Sequence, residues 1–127
     1  MYIRYGYMKP RPLTDFLPLA PAIAHILLAL ADRERHGYAI MQEVEQLTGG
    51  TTRMGPGTLY GTIKRMLSAG LIEEADERPD PELDDERRRY YRMTRLGIQV
   101  LEAESARMAT LLGAARAKRV FPRTRRV

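Results

Sequence analysis

The run GPGTLYGTIKRMLSAGLI, residues 55–72, constrains the fold more than any other part of this 127-residue chain. Proline between two glycines sets a turn, and Gly70 marks a stop. Between them the apolar positions fall at helical spacing. At roughly 100° per residue, Leu59, Ile63, Met66 and Leu67 occupy about a third of the helical circle. Thr58, Tyr60, Gly61, Lys64, Arg65 and Ser68 hold much of the rest. The pattern predicts a helix over 57–69 with one oily face and one face of hydroxyls and cations. Such a face suits a DNA major groove. Lys64 or Arg65 would pair with guanine O6 and N7, while the hydroxyls of Thr58 and Tyr60 would reach phosphates or base edges. A solvated helix face is the plainer reading of the same residues. Arg53, just before the turn, is a phosphate candidate, and Gly55 and Gly57 let backbone approach a ligand closely.

The flanking chain gives that helix a setting. Residues 21–32 read as a first helix, with Pro21 in its first turn and Ile23, Ile26, Leu27 and Leu30 as its core stripe. Residues 37–48 read as a second, stopped by Gly49-Gly50. Residues 71–76 and 87–94 read as two strands joined by the charged, proline-bearing loop RPDPELDD. Three helices followed by a hairpin make a winged helix-turn-helix, with the hairpin as wing. Tyr38 starts the second helix. It fits either a phosphate contact at a helix N-terminus or an aromatic packed under the third helix. Residues 1–18, rich in Tyr and Pro, read as an extended arm.

Residues 95–118 predict a longer helix carrying two apolar stripes. Ile98, Leu101, Met108 and Leu112 follow heptad-like spacing, with Ser105 in the missing place. Leu96, Val100 and Ala103 lie beside them. Two stripes imply two partners: the helix's own domain and a second copy of the chain.

Net charge of +5 conceals segregation. Residues 116–127 hold six basic side chains and no acidic one, and the remainder carries 15 basic against 16 acidic. Residues 73–86 hold nine acidic side chains and one Arg, and Arg87, Arg88 and Arg89 follow directly, then Arg92. DNA affinity must therefore come from local patches. The arginines fit a grip on the minor groove and its walls, or charge balance for the preceding acids. The basic tail, residues 119–127, adds sequence-independent affinity in one reading and is a solvated tail in the other.

Catalytic chemistry finds no support. No nucleophile–base pair, phosphate-cradling glycine loop or metal-ligand spacing occurs, and the chain has no Cys. Of the two histidines, His36 sits next to Tyr38 and His25 reads as a core or interface residue. The paired carboxylates Glu73-Glu74 and Asp84-Asp85 lie in a hydrophilic run rather than an apolar pocket. The longest apolar run, 23–31, is too short to span a bilayer and is interrupted by His25. No cofactor or metal is expected, and the reading is cytoplasmic.

HGYAIMQEV at 36–44, GPGTLYGTIKRMLSAGLI at 55–72 and RRRYYRMTRLG at 87–97 occur in an order that resembles the PadR-like family of bacterial transcriptional regulators, as does PAIAHILLALAD at 21–32. The resemblance covers roughly 19–112. It implies a homodimeric winged-helix repressor, joined through its C-terminal helix and docked on a two-fold operator. It also implies a small hydrophobic effector that loosens DNA binding. The chain departs from the family's pattern in its acidic wing loop and in lacking any aromatic over 95–120.

The expectation is thus a mainly α fold with a small β-hairpin. A flexible arm (1–18) leads to a winged helix-turn-helix domain (19–94), a dimerisation helix (95–118) and a basic tail (119–127). The expected function is a sequence-specific DNA-binding regulator without enzymatic activity. A protein-interaction adaptor with no specific DNA site is the alternative.

Overall fold

Described over residues 12–79 and 87–123, the computed structural model begins with a 3-10 turn at Leu13–Phe16. Leu13, Phe16 and Leu17 pack against the core. The extended arm expected through residue 18 therefore does not persist over this stretch. The apolar side chains gain more by burial than the prolines lose by allowing a turn. Residues 1–11 of that arm, the wing tip at 80–86 and the tail end at 124–127 lie outside the described residues.

Helix α1 (Pro21–Ala29) starts at a proline, whose missing N–H is no loss in a first turn, and has no side-chain cap at Ala20. It ends before the expected residue 32. The reason is Arg35, whose Nε donates to the Ala29 carbonyl at 2.8 Å and closes the helix end. Its guanidinium also meets Asp32 at 3.3 Å and Glu43 at 3.4 Å, so this buried cation is paired on both sides. Arg35–His36 form β1, a two-residue strand absent from the sequence reading; two residues are too few to show alternation.

Helix α2 (Gly37–Leu47) buries Ile40 and Val44, and α3 (Pro56–Ser68) buries Leu59, Ile63 and Met66. Strands β2 (Ile72–Pro79) and β3 (Arg87–Met93) pair antiparallel, Ile72 opposite Met93 and Glu73 opposite Arg92. A register shift between Glu74 and Glu77 places one extra residue in β2, a bulge that bends the wing. β3 also pairs with β1, so the sheet order is β1-β3-β2. The core unites α1, α2, α3, Leu71, Ile72, Tyr91 and Val100.

Helix α4 (Arg95–Ala117) is fixed where it begins. Thr94 Oγ1 accepts from Gly97 N–H at 3.0 Å, and its hydroxyl donates to the Gly70 carbonyl at 2.6 Å. The Thr94 N–H donates to the Leu71 carbonyl at 3.1 Å. Gly97 abuts that same Leu71 carbonyl so closely that a Cβ there would collide with it. The end of α3, the start of β2 and the start of α4 are therefore one junction. Farther along α4, Val100 is buried and Leu101 packs partly on the core, while Ile98, Met108, Leu111 and Leu112 are exposed.

Candidate nucleic-acid interface

The two faces of α3 separate as the spacing requires. Leu59, Thr62, Ile63 and Met66 are buried, and Thr58, Tyr60, Lys64 and Arg65 are exposed. Thr62 is the side chain that the sequence left on neither face. Its hydroxyl donates to the Thr58 carbonyl at 2.7 Å and accepts from Arg65 Nη2 at 3.3 Å. A hydroxyl that satisfies itself within its own helix is compatible with burial. It also steadies the guanidinium of Arg65 along the outer face.

Tyr60 has a double role. It is 47% exposed, yet its ring lies directly over Gly37 at the start of α2. A Cβ at Gly37 would stand only 2.7 Å from Tyr60 Cζ. The glycine of the His-Gly-Tyr segment thus allows α3 to seat against the first turn of α2. His36 completes that turn: its Nδ1 accepts from the Ala39 N–H at 3.1 Å as an N-cap. Its ring meets Tyr90 edge-on at 5.3 Å between centroids. The sequence placed His36 near a phosphate site; capping chemistry by His is a weak sequence signal because Ser, Thr, Asp and Asn dominate that position.

Tyr38, 49% exposed, stands on the same first turn. It projects outward rather than under α3, which separates the two readings left open for it. The Arg88 guanidinium lies 5.9 Å from the Tyr38 ring centroid, in cation–π range. Tyr38 and Arg53 line one shallow cleft with Met41, Gln42, Glu45 and Met54. The first turn of α2, the outer face of α3, the turn before it and β3 thus converge on one side of the molecule.

Carboxylates hold several of the expected cations. Arg53 Nε meets Glu45 Oε2 at 3.2 Å, and Arg89 Nε meets Glu74 Oε1 at 3.5 Å. Arg92, beside the expected set, meets Glu73 at 2.8 Å and Glu34 at 3.4 Å; those bonds raise its pKa above the ordinary guanidinium value. For Arg89 and Arg92 the charge-balance reading is the one the geometry carries. Arg87 pairs through its backbone with Pro79, and its side chain lies outside the described residues. Burial pushes the Tyr91 hydroxyl up, and the nearby Glu74 carboxylate adds to it, so that group is a neutral wall beneath the wing.

The "Transcriptional regulator PadR-like family" matches residues 26–103, from mid-α1 through the first third of α4. The chain belongs to this family. This PadR-like protein is 39% identical over 77 residues to "Transcriptional regulator Rv3488" of Mycobacterium tuberculosis, which covers 61% of this chain and 65% of that protein. It is also 39% identical over 88 residues to a 37.1 kDa uncharacterized protein in transposon TN4556 of Streptomyces fradiae, covering 69% of this chain and 23% of that one. The matched stretch is less than two thirds of either relative. The PadR-like regulator BC4206 of Bacillus cereus has a similar fold, with TM-score 0.65 at 19% identity over 87% of this chain and 97% of that one. PadR of Bacillus subtilis, solved in complex with operator DNA, has TM-score 0.56 at 22% identity, covering 68% of this chain and 46% of that one. The PadR-like chain is therefore a transcriptional regulator with a winged-helix fold.

Proposed function

We propose that this protein is a cytoplasmic, sequence-specific DNA-binding repressor that acts as a homodimer and is released by a small apolar effector. The observation that carries the reading is the outer face of α3. Thr58, Tyr60, Lys64 and Arg65 are exposed together, while the opposite face is locked into the core. Lys64 and Arg65 read base edges, and Tyr38, Arg53 and the wing arginines Arg87, Arg88 and Arg89 supply phosphate contacts. Support for a dimer comes from the exposed apolar seam of α4. Two α3 helices related by a two-fold axis would address half-sites about 34 Å apart.

The test is a mobility-shift titration on the DNA flanking the protein's own gene, across a salt series and with competitor duplex. Specific binding persists with competitor and weakens as salt rises, with a log–log slope of about −0.9 per phosphate neutralised. Replacing Lys64 and Arg65 by Ala weakens operator binding by roughly 5- to 150-fold for each lost base contact. Thermal stability changes by no more than about 0.5 kcal/mol, because neither side chain enters the core. Unchanged binding in the double variant would remove α3 from the recognition surface.

A further inference from the structure

Between α1 and α4 runs a groove of about 330 Å³, on the side of α1 that carries His25. Its walls are apolar, with Ala24 and Leu28 from α1 and Leu101 and Met108 from α4. Two polar groups lie at its floor. Glu104, 4% exposed, is fully engaged: its two oxygens accept from Arg107 at 2.8 and 2.9 Å, and the Leu19 N–H donates to it as well. His25 Nδ1 is different. It is buried and has no hydrogen-bond partner among the described residues. Buried polar atoms are satisfied in the great majority of cases, so an orphan facing a cavity of ligand size calls for a partner.

We propose that the groove binds a small, uncharged, apolar molecule bearing one hydroxyl, with the hydroxyl bonded to His25 Nδ1 and the hydrocarbon body between α1 and α4. A hydroxyl serves either imidazole tautomer: it donates when Nδ1 is bare and accepts when Nδ1 carries the proton. Net charge on the ligand finds no counter-ion, because Glu104 and Arg107 neutralise each other. Leu28 and Met108 are half-exposed at the rim, whereas the polar floor is buried. A second chain packed on the α4 seam would therefore roof the groove without filling its floor. The inference gives a place and a chemistry to the effector proposed above, and rests on that reading only for its regulatory consequence.

Borneol, a compact hydrocarbon cage with one hydroxyl, is the probe. Titrated into the full chain without DNA, it should bind saturably at one molecule per chain and shift the Nδ1 resonance of His25 in nitrogen NMR. His25→Phe should weaken binding about tenfold, the value of one neutral hydrogen bond. Ser105→Trp, at an exposed position on the rim, should block it while leaving the fold intact. Non-saturating binding, an unmoved His25 resonance, or full affinity in Ser105→Trp would overturn the site, whether or not His25→Phe folds. Because DNA is absent, a chain that binds borneol but no operator would keep this site and lose the repressor reading, and the converse would do the reverse.

Discussion

Gly37 and Tyr60 explain each other. The aromatic ring occupies the space where any other residue at 37 would put its Cβ. Gly37→Ala should destabilise the protein by about 1–3 kcal/mol, as overpacked sites do. Urea unfolding measures the loss, and adding Tyr60→Ala should recover most of it by vacating the space. A second residue-scale prediction concerns Glu104. The Arg107 guanidinium, against the opposing effect of burial and with help from the Leu19 N–H, holds its carboxyl below the usual carboxylate range. The unfolded chain titrates in that usual range, so the unfolded state takes up the proton first as pH falls. The stabilisation is complete at neutral pH and disappears as pH drops through the ordinary carboxylate range to the lower folded value. Glu104→Gln should be less stable by about 1 kcal/mol at neutral pH. It should also show a shallower loss of stability in acid, read by urea unfolding at a series of pH values. Thr58, Lys64 and Arg65 were legible in the sequence because amphipathic spacing alone assigns them outward. Arg35 and Glu104 were not, because their burial depends on partners that no local pattern reveals: Ala29, Asp32 and Glu43 for one, Leu19 and Arg107 for the other.

The helices were legible to within a few residues, since their apolar periods and their stop residues agree. Where an end moved, a tertiary contact moved it, as Arg35 does at Ala29. The wing was legible as two strands but its third partner was not; β1 exists only through pairing of Arg35 and His36 with Tyr91 and Tyr90. Elements also carry their own energetics. Thr94 caps α4 and ties it to Gly70 in one side chain. Thr94→Ala should cost about 1–2 kcal/mol, toward the upper end for a lost cap. Thermal unfolding reads that loss, and Thr94→Ser should restore most of it because the hydroxyl returns. The end of α4 is also defined: Arg119 takes φ 61°, the Val120 N–H returns to the Ala115 carbonyl at 2.9 Å, and the Arg116 guanidinium lies 4.1 Å from the Phe121 ring centroid. A left-handed arginine where glycine is usual costs roughly 1–2 kcal/mol, set against that contact and the closed hydrogen bonds.

At the scale of the whole molecule, apolar surface is concentrated on one side of α4. Met108 and Leu112 are each close to half exposed, and Leu111 is 63% exposed. Leu101 belongs partly to the core, so it is a poor probe of association. Met108→Glu with Leu112→Glu places like charges across the proposed seam and should convert the dimer to monomer. Light scattering checks the mass, and a persistent dimer would move the interface off α4. The charge map has the same segregated character. Among the described residues the wing base is a lattice of arginine–carboxylate pairs, while Lys64 on α3 makes no ion pair. Recognition therefore depends on a few side chains rather than on bulk charge.

The junction of Gly70, Leu71, Thr94 and Gly97 makes α4 a lever with its pivot at the recognition helix. The rod is about 35 Å long at 1.5 Å per residue, so a tilt of about 5° at the pivot sweeps its far tip through about 3 Å. Read in the other direction, small changes in how two such rods cross would reset the separation of the two reading heads by an amount that a fixed DNA pitch does not forgive.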